Sequence, residues 1–180
     1  MKEVKIFARA GQGAITTAAI LGEALFYQGL YAYAFPHFGA ARMGAPMNAF
    51  LRFDTQPVRN RSQIYNSDYI IVIEPTLVIT QNCFSGLKKG GIAIVAKREN
   101  TVLDSPKDVK LVALYAEKIA MEVIGRPFSN TVLLGAFAKA TGEVELENIL
   151  KAVEKRFLGK PEVLKKNLEA VKRGYQAVTE

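Results

Sequence analysis

The sequence has 180 residues, of which 49% are hydrophobic and 23% charged, and its formal net charge is +7 at pH 7. This composition predicts one globular domain, residues 1–180, with enough apolar side chains to form its own core. No apolar run approaches the ~20 residues of a membrane span, and no signal-peptide pattern opens the sequence. We therefore expect a cytoplasmic protein with no membrane contact.

The excess of positive charge favours an acidic partner or an anionic ligand. The basic residues are spread along predicted helices, and the sequence lacks the aromatic and basic motif of an RNA-binding sheet, so nucleic acid is not an expected partner. With one cysteine, Cys83, and one histidine, His37, the sequence offers too few ligands for an iron–sulfur cluster, which needs about four. A His-pair metal site is excluded for the same reason. We expect no metal site and no catalytic residues, and we interpret Cys83 as a small apolar residue on a helix.

The first predicted unit is a strand, a glycine turn and a helix. An apolar run from Val4 to Ala8 predicts a buried strand, and Gly11-Gln12-Gly13 forms the turn. The helix carries small or apolar residues at a spacing that predicts one buried face: Ile15, Ala18, Ala19, Gly22, Leu25, Phe26 and Gly29. Such a turn exposes N–H groups at a helix N-terminus, where a phosphate or carboxylate is favoured.

The turn does not match the dinucleotide fingerprint, which needs a third glycine and an acidic residue about 20 residues later. Thr16 occupies the position of the third glycine, and the second predicted strand ends at Phe35-Pro36 without a carboxylate. NAD and FAD are therefore disfavoured as ligands.

Two strands follow. Leu30–Phe35 is a strand that Pro36 should end, because proline lacks the N–H that a ladder needs. After the loop 37–46, Met47–Asp54 alternates and predicts a half-buried strand near an edge of the sheet. In that strand Ala49, Leu51 and Phe53 face the core, and Asn48, Arg52 and Asp54 face solvent. Residues 55–66 should be loop.

The apolar pattern in the middle of the chain indicates a parallel sheet. Tyr69–Ile73 is apolar on both faces, as an interior parallel strand would be. A helix from Pro75 to about Leu87 should follow, which Lys88–Gly91 breaks. Two further strands are predicted next, at Ile92–Val95 and Val109–Leu114, and a helix follows at Ala116–Ile124. Three C-terminal helices complete the prediction, at Asn130–Thr141, at Leu146–Phe157 and from Pro161 onwards. Ser129 and Asn130 are candidate helix caps. The order of elements predicts an α/β fold, a three-layer α/β/α domain with a predominantly parallel central sheet, Rossmann-like.

An ordered set of motifs resembles the gamma subunit of the 2-oxoacid:ferredoxin oxidoreductases, the pyruvate/ketoisovalerate type. Gly11-Gln12-Gly13 followed by Thr16-Thr17-Ala18 is similar to the end of the family's G-x-G-G-Q-G turn. Phe35 to Gly39, Arg42 and Gly44-Ala45-Pro46 are similar to its motif F-P-x-F-G-P-E-R-R-G-A-P. Three further segments resemble family segments: Asp68–Leu77, Asn130–Gly135 and Asn167–Gly174.

The sequence departs from these motifs at five positions. Alanines replace two glycines of the first motif, where alanine resists a positive φ. In the second motif, alanines stand in place of Pro-Glu and a methionine in place of the second arginine, which removes a carboxylate and a cation together. The positions are Ala8, Ala10, Ala40, Ala41 and Met43.

The resemblance implies a subunit of a complex that converts a 2-oxoacid and coenzyme A to acyl-CoA and CO₂ while reducing ferredoxin. It implies thiamine diphosphate and iron–sulfur clusters in partner subunits, none in this chain, and coenzyme A as co-substrate of the complex. The implied partners are the catalytic alpha and beta subunits and a ferredoxin-like subunit. Which 2-oxoacid is used stays open.

The candidate ligand- or partner-binding site consists of two glycine loops, Arg9–Gly13 after the first predicted strand and Phe38–Gly44 after the second. If their strands are parallel neighbours, both loops lie at the carboxyl edge of the sheet, where ligands of doubly wound folds gather. The candidate residues are Arg9, Gly11, Gln12, Gly13, Phe38, Gly39, Arg42 and Gly44. Two other interpretations remain: a stand-alone nucleotide- or phosphate-binding module, and a purely structural interaction domain.

Overall fold

A computed structural model describes residues 1–37, 42–101 and 103–179. Six strands form one sheet in the order β2-β3-β1-β4-β5-β6. The strands are β1 (Lys2–Arg9), β2 (Tyr31–His37), β3 (Pro46–Asp54), β4 (Ser67–Val72), β5 (Leu87–Ala96) and β6 (Lys110–Leu114). The helices are α1 (Ala14–Tyr27), α2 (Leu77–Thr80), α3 (Ala116–Val123), α4 (Asn130–Thr141), α5 (Leu146–Arg156) and α6 (Pro161–Gln176).

The sheet is predominantly parallel, as predicted. β1, β4, β5 and β6 pair in parallel, whereas β3 is antiparallel to both β1 and β2. The predicted interior strand is β4, where Ile70, Ile71 and Val72 are each at most 1% exposed. The expectation that the two glycine loops follow neighbouring strands is wrong. β1 and β2 point the same way, but β3 lies between them.

Helices cover both faces of the sheet, which confirms the three-layer architecture, but the layers are unequal. The larger core lies between the sheet and the helices α1, α3, α4, α5 and α6. On the opposite face, a smaller core joins Phe7, Ile70 and Val72 to Leu77 and Val78 of the one-turn helix α2. Among the described residues, no helix is long and apolar enough to cross a membrane.

Several predicted boundaries are wrong for local reasons. The helix after Pro75 ends at Thr80, not near Leu87, and Cys83 lies buried in the turns that follow. Lys88–Gly91 was expected to separate a helix from a strand, but these residues belong to β5. The pairing of β5 with β4 shifts register between Ser67 and Tyr69, and this irregularity accommodates them. β2 continues through Pro36 to His37, because an edge strand has no ladder on its outer side for a proline to disrupt.

The buried face of α1 differs from the predicted face. Gly22 packs closely on the sheet, where a Cβ would lie 3.3 Å from Leu51 Cδ1, and Ala18 is 2% exposed. In contrast, Ile15 is 41% and Phe26 66% exposed, and Ala19 and Gly29 are exposed as well. Thr17, Ile20 and Leu21 are buried instead.

Candidate functional site

The glycine turn between β1 and α1 is built by left-handed backbone. Gly11 and Gly13 have φ values of 98° and 88°, a region that L side chains rarely adopt. Gly13 precedes α1, whose N-terminus has no side-chain cap and no acidic residue in the first turn. Its first N–H groups therefore remain suited to an anion.

The second loop packs against this turn where the structure describes it. Ala10 N donates to Ala45 O (2.9 Å), Gly44 N donates to Ala10 O (3.1 Å), and Arg9 Nη1 donates to Gly44 O (3.1 Å). The predicted residues Arg9, Gly11, Gln12, Gly13 and Gly44 thus lie together, and Arg42 is exposed beside them. Phe38 and Gly39, like Ala40 and Ala41, lie outside the described residues.

Gln12 closes the turn with its side chain. Its Oε1 accepts a hydrogen bond from Arg9 N (2.7 Å), and its own N donates to Arg9 O (3.0 Å). The Arg9 side chain is engaged as well, because Nη2 donates to Thr76 Oγ1 (3.2 Å) in addition to the bond from Nη1 to Gly44. Arg9 thus ties the two loops to the segment that follows β4.

Glu74, which no sequence pattern indicated as functional, lies behind the turn. It follows β4 and is 4% exposed. Its carboxylate accepts from Gln12 Nε2 (2.8 Å), from Thr76 N (3.2 Å) and Thr76 Oγ1 (2.9 Å), and from Arg98 Nη1 (3.1 Å) and Nη2 (3.3 Å). Burial raises the pKa of Glu74, but the hydrogen bonds from Gln12 and Thr76 and the Arg98 charge outweigh it and hold the pKa below its usual value.

Arg98, two residues after the end of β5, joins this carboxylate to a second one. Its Nη2 and Nε donate to Glu117 of α3 at 2.6 and 2.9 Å. The hydrogen bond that Arg98 donates to Glu117 and the negative charges of Glu74 and Glu117 raise the pKa of Arg98 above its usual value. The carboxyl ends of β1, β4 and β5 are therefore connected through charged and polar side chains.

A cleft of about 530 Å³ opens on the helical side of the turn. Its walls are the glycine turn, the segment after α3, the end of α5 and the start of α6. Three basic side chains line it, and one acidic one: Arg126, Arg156, Lys166 and Glu162. The one feature of the sequence that could have indicated the cleft is the position of these basic residues near the ends of predicted helices.

Asn130 contributes a buried polar side chain to this cleft. It was a candidate cap, but neither it nor Ser129 makes a side-chain hydrogen bond to the N-terminus of α4. Asn130 is 8% exposed, and its Nδ2 lies 3.0 Å from the position that a Cβ on Gly13 would occupy. A larger residue at Gly13 would displace Asn130, so the glycine gives the amide access to the turn.

Cys83 is not suited to bind a metal or to act as a nucleophile. It is fully buried in the smaller core, its Sγ donates to Leu77 O (3.1 Å), and burial raises its pKa to about 12. Within the described ranges, the structure contains no group of three or more His, Cys, Asp or Glu residues that could hold a metal ion.

Comparisons with known proteins agree along the whole chain. Residues 3–177 match the family model described as pyruvate ferredoxin/flavodoxin oxidoreductase. The chain is 43% identical to pyruvate synthase subunit PorC of Methanothermobacter thermautotrophicus, covering 99% of this chain and 96% of the relative. It is 44% identical to the pyruvate/ketoisovalerate oxidoreductases common subunit gamma of Pyrococcus furiosus, covering 98% and 96%.

Solved structures show the same fold. The pyruvate oxidoreductase subunit PORC of Thermotoga maritima superimposes with a TM-score of 0.83 at 37% identity, covering 99% of this chain and 97% of that one. A 2-oxoglutarate:ferredoxin oxidoreductase from Magnetococcus marinus matches with a TM-score of 0.81 at 20% identity, which shows the fold alone, and this chain covers 31% of its length. With its family model, full-length relatives and sheet topology in agreement, the chain belongs to the pyruvate ferredoxin/flavodoxin oxidoreductase family.

Proposed function

We propose that this chain is the gamma subunit of a 2-oxoacid:ferredoxin oxidoreductase complex. The observation that carries the proposal is the identity of 43% and 44%, over almost the full length, to subunits named PorC and gamma. The subunit packs against catalytic alpha and beta subunits and contributes no cofactor of its own. Thiamine diphosphate and the iron–sulfur clusters belong to the partner subunits, in agreement with the single cysteine and single histidine of this chain.

The edge that carries the glycine turn is proposed to contact coenzyme A at the entrance to the active site. The phosphates of coenzyme A need cations and N–H donors. The cleft supplies Arg126, Arg156, Lys166 and the uncapped N-terminus of α1, and the buried amide of Asn130 lies beside them. The Magnetococcus marinus structure contains bound coenzyme A, and a ligand of that charge suits this edge.

Purification of the complex from its own cell tests the subunit assignment. The tagged full-length chain should co-purify with larger subunits in a complex that contains thiamine diphosphate and iron and oxidises a 2-oxoacid with coenzyme A. A chain that purifies alone and binds nucleotides would instead establish a stand-alone module. The coenzyme A contact is tested separately by Lys166→Ala in the assembled complex, with Lys165→Ala as control, since Lys165 is also exposed and does not line the cleft. An apparent KM for coenzyme A that is equal in the two variants would contradict the contact.

A further inference from the structure

We propose that Glu74 is a positioning residue that sets the conformation of the glycine turn through Gln12, and with it the affinity of the turn for its anionic ligand. The functional part of this inference rests on the proposed contact with coenzyme A. The conformational part depends only on the hydrogen bonds around Glu74 and can be tested without any ligand.

The donors around Glu74 require a carboxylate. Five N–H and O–H donor groups from Gln12, Thr76 and Arg98 point at its two oxygens. An ionised carboxylate is acceptor-only and can accept all of them, whereas a glutamine would present one NH₂ group to donors. In the described residues every buried side-chain polar atom has a hydrogen-bond partner, so a donor that lost the Glu74 carboxylate would be an exception.

The orientation of the Gln12 amide follows from Glu74. Because Glu74 accepts from Nε2, the amide oxygen Oε1 must point the other way, where it accepts from Arg9 N. Arg9 is paired with Pro46 at the last position of the β1–β3 register, and there its N–H donates to the Gln12 side chain. If Gln12 turned its amide over, two N–H donors would face each other at Arg9.

Glu74 also holds two side chains next to the turn, Thr76 and Arg98. It holds Thr76, to which the Arg9 side chain donates, and Arg98, which is bound to α3 through Glu117. The chain after α3 leads to Arg126 and Asn130 in the cleft. One buried carboxylate therefore connects the turn to the segments that supply its cationic neighbours.

Glu74→Gln is the direct test, read by amide hydrogen exchange in the ¹⁵N-labelled full-length chain. The Arg9 amide should exchange at least about tenfold faster, which corresponds to the loss of one hydrogen bond that a charged group maintains. The matched control is Glu117→Gln, which removes the other carboxylate of Arg98 and leaves the Glu74–Gln12 bond in place. In the control, exchange at Arg9 should change less than about threefold. Equal exchange at Arg9 in Glu74→Gln and the parent chain would overturn the proposal.

The double variant Gln12→Glu with Glu74→Gln distinguishes a positioning role of Glu74 from a general contribution to stability. The carboxylate introduced at position 12 would accept both from the amide introduced at position 74 and from Arg9 N, so protection of the Arg9 amide should return to within about threefold of the parent chain. Absence of rescue would overturn the positioning role. Should Glu74→Gln fail to fold, Gln12→Ala, which leaves the Glu74–Arg98 pair intact, must show the same faster exchange at Arg9.

Kinetics in the assembled complex supply the functional readout. Glu74→Gln should raise the apparent KM for coenzyme A about tenfold, the factor of one lost hydrogen bond, with kcat changed less than about twofold. The double variant should keep a raised KM, because its carboxylate at position 12 places a negative charge at the turn. Faster exchange at Arg9 with an unchanged KM would support positioning by Glu74 and contradict the coenzyme A contact, so the two proposals fail separately.

Discussion

Gly135 of α4 and Gly174 of α6 allow these two helices to touch backbone to backbone. A Cβ on Gly135 would overlap the carbonyl oxygen of Val171, and a Cβ on Gly174 would overlap the carbonyl oxygen of Val132. The contact begins near Thr131, whose Oγ1 donates to Asn167 Oδ1 (3.0 Å). Because Asn167 lines the cleft, this close crossing also sets the position of the wall that α6 supplies.

Gly135→Ala and Gly174→Ala should each destabilise the chain, because the overlapping atoms are backbone and the helices must separate. We expect a loss of about 2–3 kcal/mol of unfolding free energy, the upper part of the range of overpacked cores. Thermal melting of the full chain should show this as a fall in Tm of roughly 4–12 °C. The matched control is Gly22→Ala, whose Cβ would meet the flexible end of Leu51 at 3.3 Å. There the gain in helix propensity offsets the crowding, and the change should stay within about 1 kcal/mol. Similar losses in all three variants would contradict the close crossing.

Arg52 should be a major contributor to stability. It is 1% exposed, its Nε donates to Glu3 Oε1 (2.8 Å), and its Nη1 donates to Ser62 O (2.6 Å). Arg52→Ala leaves Glu3 with Lys88 alone, whose Nζ lies 3.6 Å from Glu3 Oε2, and removes the donor to the Ser62 carbonyl that anchors the loop. We expect a loss of about 3–5 kcal/mol in chemical denaturation. Limited proteolysis should cut near Arg59 and Arg61 faster than in the parent. A loss below about 1 kcal/mol, the ordinary value for a surface ion pair, would show that Arg52 is not anchored there.

Cys83 should be unreactive in the folded chain. Its pKa of about 12 lies well above the ordinary value near 8.5, so the reactive thiolate is about a thousandfold less populated at pH 8. Alkylation by iodoacetamide at pH 8, followed by mass spectrometry, should be negligible until denaturant is added. Rapid stoichiometric labelling without denaturant would show that the smaller core opens.

Glu74 should make stability depend on pH in acid. Its pKa is lowered in the folded chain, so its contribution is present above the unfolded pKa of about 4.3 and is lost as the pH falls through the folded value. Urea denaturation should therefore separate the parent from Glu74→Gln by about 1–3 kcal/mol at pH 7. The two should converge as the pH is lowered below about 4. A constant difference at every pH would rule out this ionisation as its source.

Arg42 should matter for the complex and not for the fold. It is exposed beside the turn, so Arg42→Ala should change the unfolding free energy by no more than about 0.5 kcal/mol. In the assembled enzyme it should weaken assembly or raise the apparent KM for coenzyme A. Loss of one charged hydrogen bond predicts roughly a tenfold to hundredfold effect. The control is Arg59→Ala, which removes the same charge from the loop at the opposite edge of the sheet. If both variants behave like the parent, Arg42 is not part of the site.

The elements with a regular apolar pattern could be predicted from the sequence. β1 and β4 are runs of buried residues, and α4 and α6 have recognisable boundaries. The direction of β3 could not be predicted, because its apolar pattern is the same whichever way the strand runs. Alternation placed Arg52 in solvent, yet residues 60–64 cover that face of the sheet and supply carbonyl acceptors, so its guanidinium is buried.

The glycine turn was evident from its residues, but its surroundings were not. Glu74, Arg98 and Asn130 are far from the turn in sequence, and each looks like an ordinary loop or helix-end residue until the strands are aligned. The exposed Ile15 and Phe26 show a related limit, since a helix of almost uniformly apolar and small residues does not reveal which face meets the sheet.

The place of β1 between β3 and β4 also constrains the order in which the chain can fold during synthesis. β1 is synthesised before both strands that flank it, the second of which ends at Val72. Neither side of β1 can be paired until tens of further residues have emerged, so the nascent chain must keep this strand unpaired for that interval. A chaperone that holds extended apolar segments would find its binding site there, in the same eight residues that later form the centre of the sheet.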